Sequence, residues 1–138
     1  MNPYLKQYQK NEVETASPEK ILILLYDGAI QFLNKAKIAI EKNNVPEIYN
    51  NIMGCENIIT EFINTIDIEN GGEFAVRLKA LYQYFYNTLV QANLKKDMAK
   101  VDEVLNHLVD LRATWKQAIA IANSQKGSAS MGSADYEG

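Results

Sequence analysis

Three observations point to an all-α chain folded as an antiparallel up-down four-helix bundle. Four stretches repeat their apolar residues in steps of three and four, short breaks separate them, and no stretch sustains the period-two alternation of a strand. A length of 138 residues, 47% hydrophobic and 22% charged, fits one domain that can bury a genuine core.

The first helix is expected to open at Thr15-Ala16-Ser17-Pro18. A serine or threonine hydroxyl can cap free N–H groups there, and proline suits the first turn, where its missing donor is not needed. Its seam reads Leu22, Leu25, Ala29, Phe32 and Ala36, and Asn43-Asn44 ends it. The second helix starts near Val45-Pro46, ends near Asp67, and carries Ile48, Ile52, Cys55, Ile59, Phe62 and Ile66. Gly71-Gly72 then breaks the chain. The third runs from Glu73 to about Leu94 with Phe74, Leu78, Leu81, Phe85 and Leu89. Asp97 can cap the fourth, which carries Val101, Val104, Leu108, Leu111, Trp115, Ala118 and Ala122 and ends near Asn123. Steps that alternate between three and four keep one seam facing the neighbouring helices.

The bundle therefore spans residues 17–123. Residues 1–16 form an N-terminal cap segment, with scattered apolar groups at Tyr4, Leu5, Tyr8 and Val13. Residues 124–138, rich in Ser, Gly and Ala, are expected to form a disordered tail, because they bury too little to offset chain entropy.

Composition narrows the chemistry. A net charge of −3 without a dense Lys/Arg block argues against nucleic acid and anionic membrane surfaces as partners. The N-terminus has no signal-length apolar run, and the longest aliphatic run, Ile21 to Leu25, is far too short to span a bilayer. With Cys55 as the only cysteine there is no intrachain disulfide, and a reduced cytoplasmic compartment is expected. A di-iron bundle needs two Glu-x-x-His pairs. This chain has one histidine, His107, and Val104 stands three residues before it. No haem-attachment motif, phosphate-binding glycine loop or nucleophile–base pair can be assembled, so neither cofactor nor catalysis is expected. Cys55 reads as a small buried hydrophobe, and Glu41, Glu56, Glu61 and Glu103 as solvated charges.

The seams leave apolar residues over. On a helical wheel Ile23, Leu24, Ile38, Tyr49, Met53, Val76, Tyr84, Tyr86, Val90, Val109 and Ile121 fall away from them. The rings Tyr82, Tyr84, Phe85 and Tyr86 cannot all point at one core. Such a surface calls for a cover: the N-terminal segment, a second copy of the chain, or a client helix laid in a groove.

Several landmarks resemble one family, the FliS flagellar secretion chaperones. They are Val13-Glu14-Thr15-Ala16-Ser17-Pro18 with Ile21 to Leu25, Tyr26-Asp27-Gly28-Ala29-Ile30, Ile58-Ile59, Gly71-Gly72-Glu73, Leu81-Tyr82-x-Tyr84, Leu89-x-x-Ala92-Asn93 and Leu111-Arg112-x-x-Trp115. The resemblance covers about residues 4–120. It implies a non-enzymatic cytosolic chaperone that binds the disordered C-terminal region of flagellin, prevents premature polymerisation and supports export. It also implies, as further partners, a co-chaperone or an anti-sigma factor, and an N-terminal segment that covers part of the groove when no client is bound. With the spare apolar surface, it makes Tyr8, Val13, Ile23, Leu24, Tyr49, Met53, Val76, Tyr84, Tyr86 and Val90 the expected client contacts. Trp115, on the fourth seam, is expected to serve stability instead.

Overall fold

The computed structural model describes residues 17–137, with side chains through Lys126. Four helices follow one another: α1 (Pro18–Glu41), α2 (Val45–Thr65), α3 (Ile68–Lys95) and α4 (Met98–Glu137). Each begins on a polar cap. Ser17 Oγ accepts from Lys20 N–H, Asn44 Oδ1 from Glu47 N–H, Asp67 Oδ1 from Asn70 N–H and Asp97 Oδ1 from Ala99 N–H. Asn43 and Lys96, both at φ 53°, turn the chain out of α1 and α3 through the left-handed region.

The break near Gly71-Gly72 takes a particular form. Asp67 caps a turn that already begins at Ile68, and Gly72 (φ 58°, ψ −142°) interrupts it before the long part of α3. The expected start at Glu73 is thus the start of the uninterrupted helix rather than of the element.

Residues 25–109 form one compact unit in which four helical stretches pack together. Its core is Tyr26, Ala29, Leu33 and Ala36 on α1, Ile48, Ile52, Cys55, Ile59 and Phe62 on α2, Ala75, Leu78, Tyr82, Phe85 and Leu89 on α3, and Val101, Val104 and Leu108 on α4. Burying each of the larger side chains contributes about 1.5–3 kcal/mol. The α2 seam matches the expected one, apart from a half-buried Ile66. On α1 the inward face is rotated: Tyr26 and Leu33 are buried, while Leu22, Leu25 and Phe32 are half-buried. On α3 Tyr82 takes the inward place expected for Leu81, and Phe74 is 65% exposed. Gly72 resets the helix just before Phe74, so Ala75 faces inward instead.

The ring of Phe62 stacks on Tyr26 and lies tilted against Tyr82, with centroids 4.8 and 5.1 Å apart, and the hydroxyls of Tyr26 and Tyr82 lie 2.5 Å from each other. Two tyrosines can thus be fully buried because each supplies the other's polar partner. Gly54 explains itself here. A Cβ at that position would lie 2.7 Å from the ring of Phe32, so glycine's cost of about 1 kcal/mol inside a helix is accepted for close approach of α1 to α2.

Residues 17–24 and 110–137 belong to a second unit. In it Ile21 to Leu24 are all half-buried, as an all-round apolar run requires. Trp115 is half-buried and Ala118 and Ala122 are exposed, so the fourth seam is not a closed core past Leu108. The helical backbone of α4 continues to Glu137, past the expected end near Asn123; with no proline after Met98, nothing removes a backbone donor along the way. The expected N-terminal cap segment, with Tyr8 and Val13, lies outside the described residues, as do the side chains of most of the expected tail.

Candidate functional site: an apolar groove between two helices

Three of the expected contacts are brought together. Tyr49 and Met53 on α2 and Val90 on α3 line an open groove of about 260 Å³ with Glu56, Asn93 and Leu94. Tyr49, Met53 and Glu56 follow one face of α2 in steps of four and three. On α3 Asn93 and Leu94, three and four residues after Val90, share its face and answer them. Tyr49 is 51% and Leu94 71% exposed, whereas Met53 and Val90 are half-buried, so the groove has an apolar floor and open rims.

The other expected contacts stand elsewhere. Val76 is exposed on the first turns of α3. Tyr86 is half-buried. Tyr84 is exposed, but its hydroxyl donates to Glu103 of α4, which keeps the phenol proton on above the ordinary tyrosine range. Tyr84 therefore ties α3 to α4 as well as facing water. Ile23 lines a separate groove of about 560 Å³ within the second unit, with Ser17, Glu19, Lys20, Lys116, Ile119, Ala120, Asn123 and Lys126. Leu24, beside it, is half-buried. Ile38 lines a further groove of about 220 Å³ with Lys35, Ala39, Lys42, Asn44, Glu47 and Asn51.

Leu94, Asn93 and Glu56 were not among the expected contacts. Leu94 closes the third apolar segment off its seam, and the step of four from Val90 was the available signal. Glu56 corrects an expectation: it is not a solvated charge but is only 6% exposed. It follows Cys55 on α2, where the helix turns from the core toward the groove, and burial pushes its carboxyl above the ordinary carboxylate range. The thiol of Cys55 is pushed far up, first by its complete burial and then by the neighbouring Glu56 charge. Such a thiol is inert. His107 is exposed on α4 and packs against Phe85, with ring centroids 5.3 Å apart. Among the described residues no His, Cys, Asp and Glu group is arranged to hold a metal ion, and no helix is long and apolar enough to cross a membrane.

The raised Glu56 carboxyl has a signed consequence for stability. The fold favours the protonated form, so the contribution of Glu56 is most favourable below the ordinary carboxylate pKa. It is lost as pH rises through the higher value in the folded state. Glu56→Gln, permanently neutral, should melt with the wild type near about pH 4 and above it near about pH 7. Paired thermal melts across that range check this. Parallel curves at every pH would mean that Glu56 is well solvated.

The chain resembles known proteins over most of its length. The family model described as flagellar protein FliS matches residues 1–122. The flagellar secretion chaperone FliS of Bacillus subtilis is 38% identical over 118 residues, covering 86% of this chain and 86% of that protein. The Salmonella typhimurium chaperone of the same name is 33% identical over 127 residues, covering 88% and 94%. FliSB of Pseudomonas aeruginosa is 34% identical over 115 residues, covering 80% and 91%. A crystal structure of a bacterial flagellar chaperone superposes with a TM-score of 0.70 at 17% identity, covering 86% of this chain and 98% of that one, which bears out the helical-bundle fold. Chaperoning, not catalysis, is the role of such proteins, and the chain is not an enzyme. This four-helix chain, with its open apolar groove between α2 and α3, belongs to the FliS family of flagellar secretion chaperones.

Proposed function

We propose that this chain binds the C-terminal segment of flagellin in the bacterial cytosol, keeps it from polymerising early and delivers it for export. The observation that carries the reading is the α2–α3 groove, where Tyr49, Met53, Val90 and Leu94 present helix-spaced apolar side chains that no other part of the described chain covers. A client that is disordered when free suits such a site. Each leucine-sized anchor it buries contributes about 1.5–3 kcal/mol. Ordering the client costs about 2–5 kcal/mol or more. Several anchors in a row are therefore required, and the steps of three and four along both walls fit one face of an amphipathic helix.

The test is titration of the full chain with a synthetic flagellin C-terminal peptide, followed by circular dichroism. The complex should contain more helix than the sum of its separate parts. Absence of binding, or binding without any gain in helix, would sink the reading. Self-association through the groove in place of peptide binding would mark it instead as a contact between copies of the chain.

A further inference from the structure

We propose that Glu56 gives the groove its polar specificity, accepting a hydrogen bond from an N–H-bearing side chain that a docked helix carries beside its apolar anchors. This rests on the client reading above. The observation is an unusual one for a carboxylate. Glu56 is 6% exposed and lines the groove with Met53 and Val90. Among the described residues its carboxyl has no hydrogen-bond or ion-pair partner, and its oxygens, not fully enclosed, keep a residual contact with water. Its backbone carbonyl also accepts a hydrogen bond from Thr60 Oγ1.

A carboxylate in that position is expensive. Buried charges are ordinarily paired, because desolvation is otherwise uncompensated. Among the described residues nothing partners it, and Glu56 lines the groove in which a client would lie. A docked helix that covered the mouth with apolar atoms alone would seal the charge in. One that brought an amide, guanidinium or ammonium group would satisfy it. Glu56 therefore selects, among helices of similar hydrophobicity, those with a donor at the right turn, since specificity arises as much from penalising an unmatched partner as from rewarding a matched one. The shared chemistry is an N–H donor. A neutral amide and a cation differ in charge, and that difference can be read separately.

The experiment is calorimetric titration of a synthetic flagellin C-terminal peptide into the full chain, Glu56→Met and Glu56→Gln, each with a melting curve. Glu56→Met should melt higher than the wild type, because it removes a largely desolvated carboxylate that has no partner among the described residues. It should bind the peptide about tenfold or more weakly, because the client's donor loses its acceptor. If the donor is a cation, Glu56→Gln should lose nearly as much, and wild-type binding should weaken more steeply with salt than that of the variant. If the donor is an amide, Glu56→Gln should retain most of the affinity. Peptide binding by Glu56→Met as tight as wild type, or tighter, overturns the proposal and leaves the client reading standing. So does failure of Glu56→Met to fold, which would give the carboxylate a structural role. A wild-type chain that does not bind the peptide removes the client reading and this proposal with it.

Discussion

Phe85→Ala should cost about 3–5 kcal/mol of folding stability, the usual range for deleting a large buried aromatic ring. Phe85 is fully buried on α3, where its ring meets those of Tyr82 and Tyr84 on its own helix and His107 on α4, at centroid distances of 6.3, 6.4 and 5.3 Å. Truncation would leave a cavity at the meeting of two helices whose neighbours are themselves pinned, Tyr82 by the Tyr26 hydroxyl and Tyr84 by Glu103. The loss is a large share of the 5–15 kcal/mol typical of a whole domain. Urea titration should show a lower midpoint at an unchanged slope. Peptide binding, measured on the folded fraction, should stay close to wild type, because the ring does not line the groove. A cost below about 1 kcal/mol would contradict the packing described for this residue.

Tyr49→Glu and Leu94→Glu should do the reverse. Both positions are exposed, so either change should alter stability by no more than about 0.5 kcal/mol. Each places a second carboxylate in the groove that already holds Glu56. Under a docked helix that charge would be buried without a partner, at a cost of about 3–5 kcal/mol, which is a hundredfold or more in affinity. Melting curves beside peptide titrations separate the two classes of position. Normal binding by both variants would move the client to another face. Tyr84→Glu is a poorer probe than its exposure suggests, because it would set one carboxylate against Glu103 and disturb the α3–α4 contact itself.

How much of this could be read from the chain depended on how crowded each helix is with apolar residues. On α2 the inward residues Ile48 to Phe62 have few apolar rivals, and the periodicity located them correctly. On α1 every position from Ile21 to Leu25 is apolar, so two seams one residue apart fit equally well. The choice fell to Tyr26, whose burial depends on a hydroxyl from Tyr82, fifty-six residues away. No local pattern encodes that pairing. The aromatic run on α3 divided as geometry required, with Tyr82 and Phe85 inward and Tyr84 outward. Glu56 escaped for the opposite reason: its residue type argues for solvent, and only α3 packing beside α2 makes it a groove residue. Trp115 is half-buried while Ala118 and Ala122 on the same seam are exposed, because a periodic seam says which residues share a face, not how fully that face is covered.

Gly72 carries one more consequence. A Cβ placed there would meet nothing within 4 Å, so bulk is not what the position forbids. Its backbone angles are what an L-residue resists. Inverted in sign they become about −58° and 142°, the polyproline II region in which ordinary residues rest comfortably. The bend at the start of α3 thus selects for handedness rather than size. It would accept a side chain of mirror-image configuration without strain, and among the genetically encoded residues it is open at no conformational cost only to the one that has no hand.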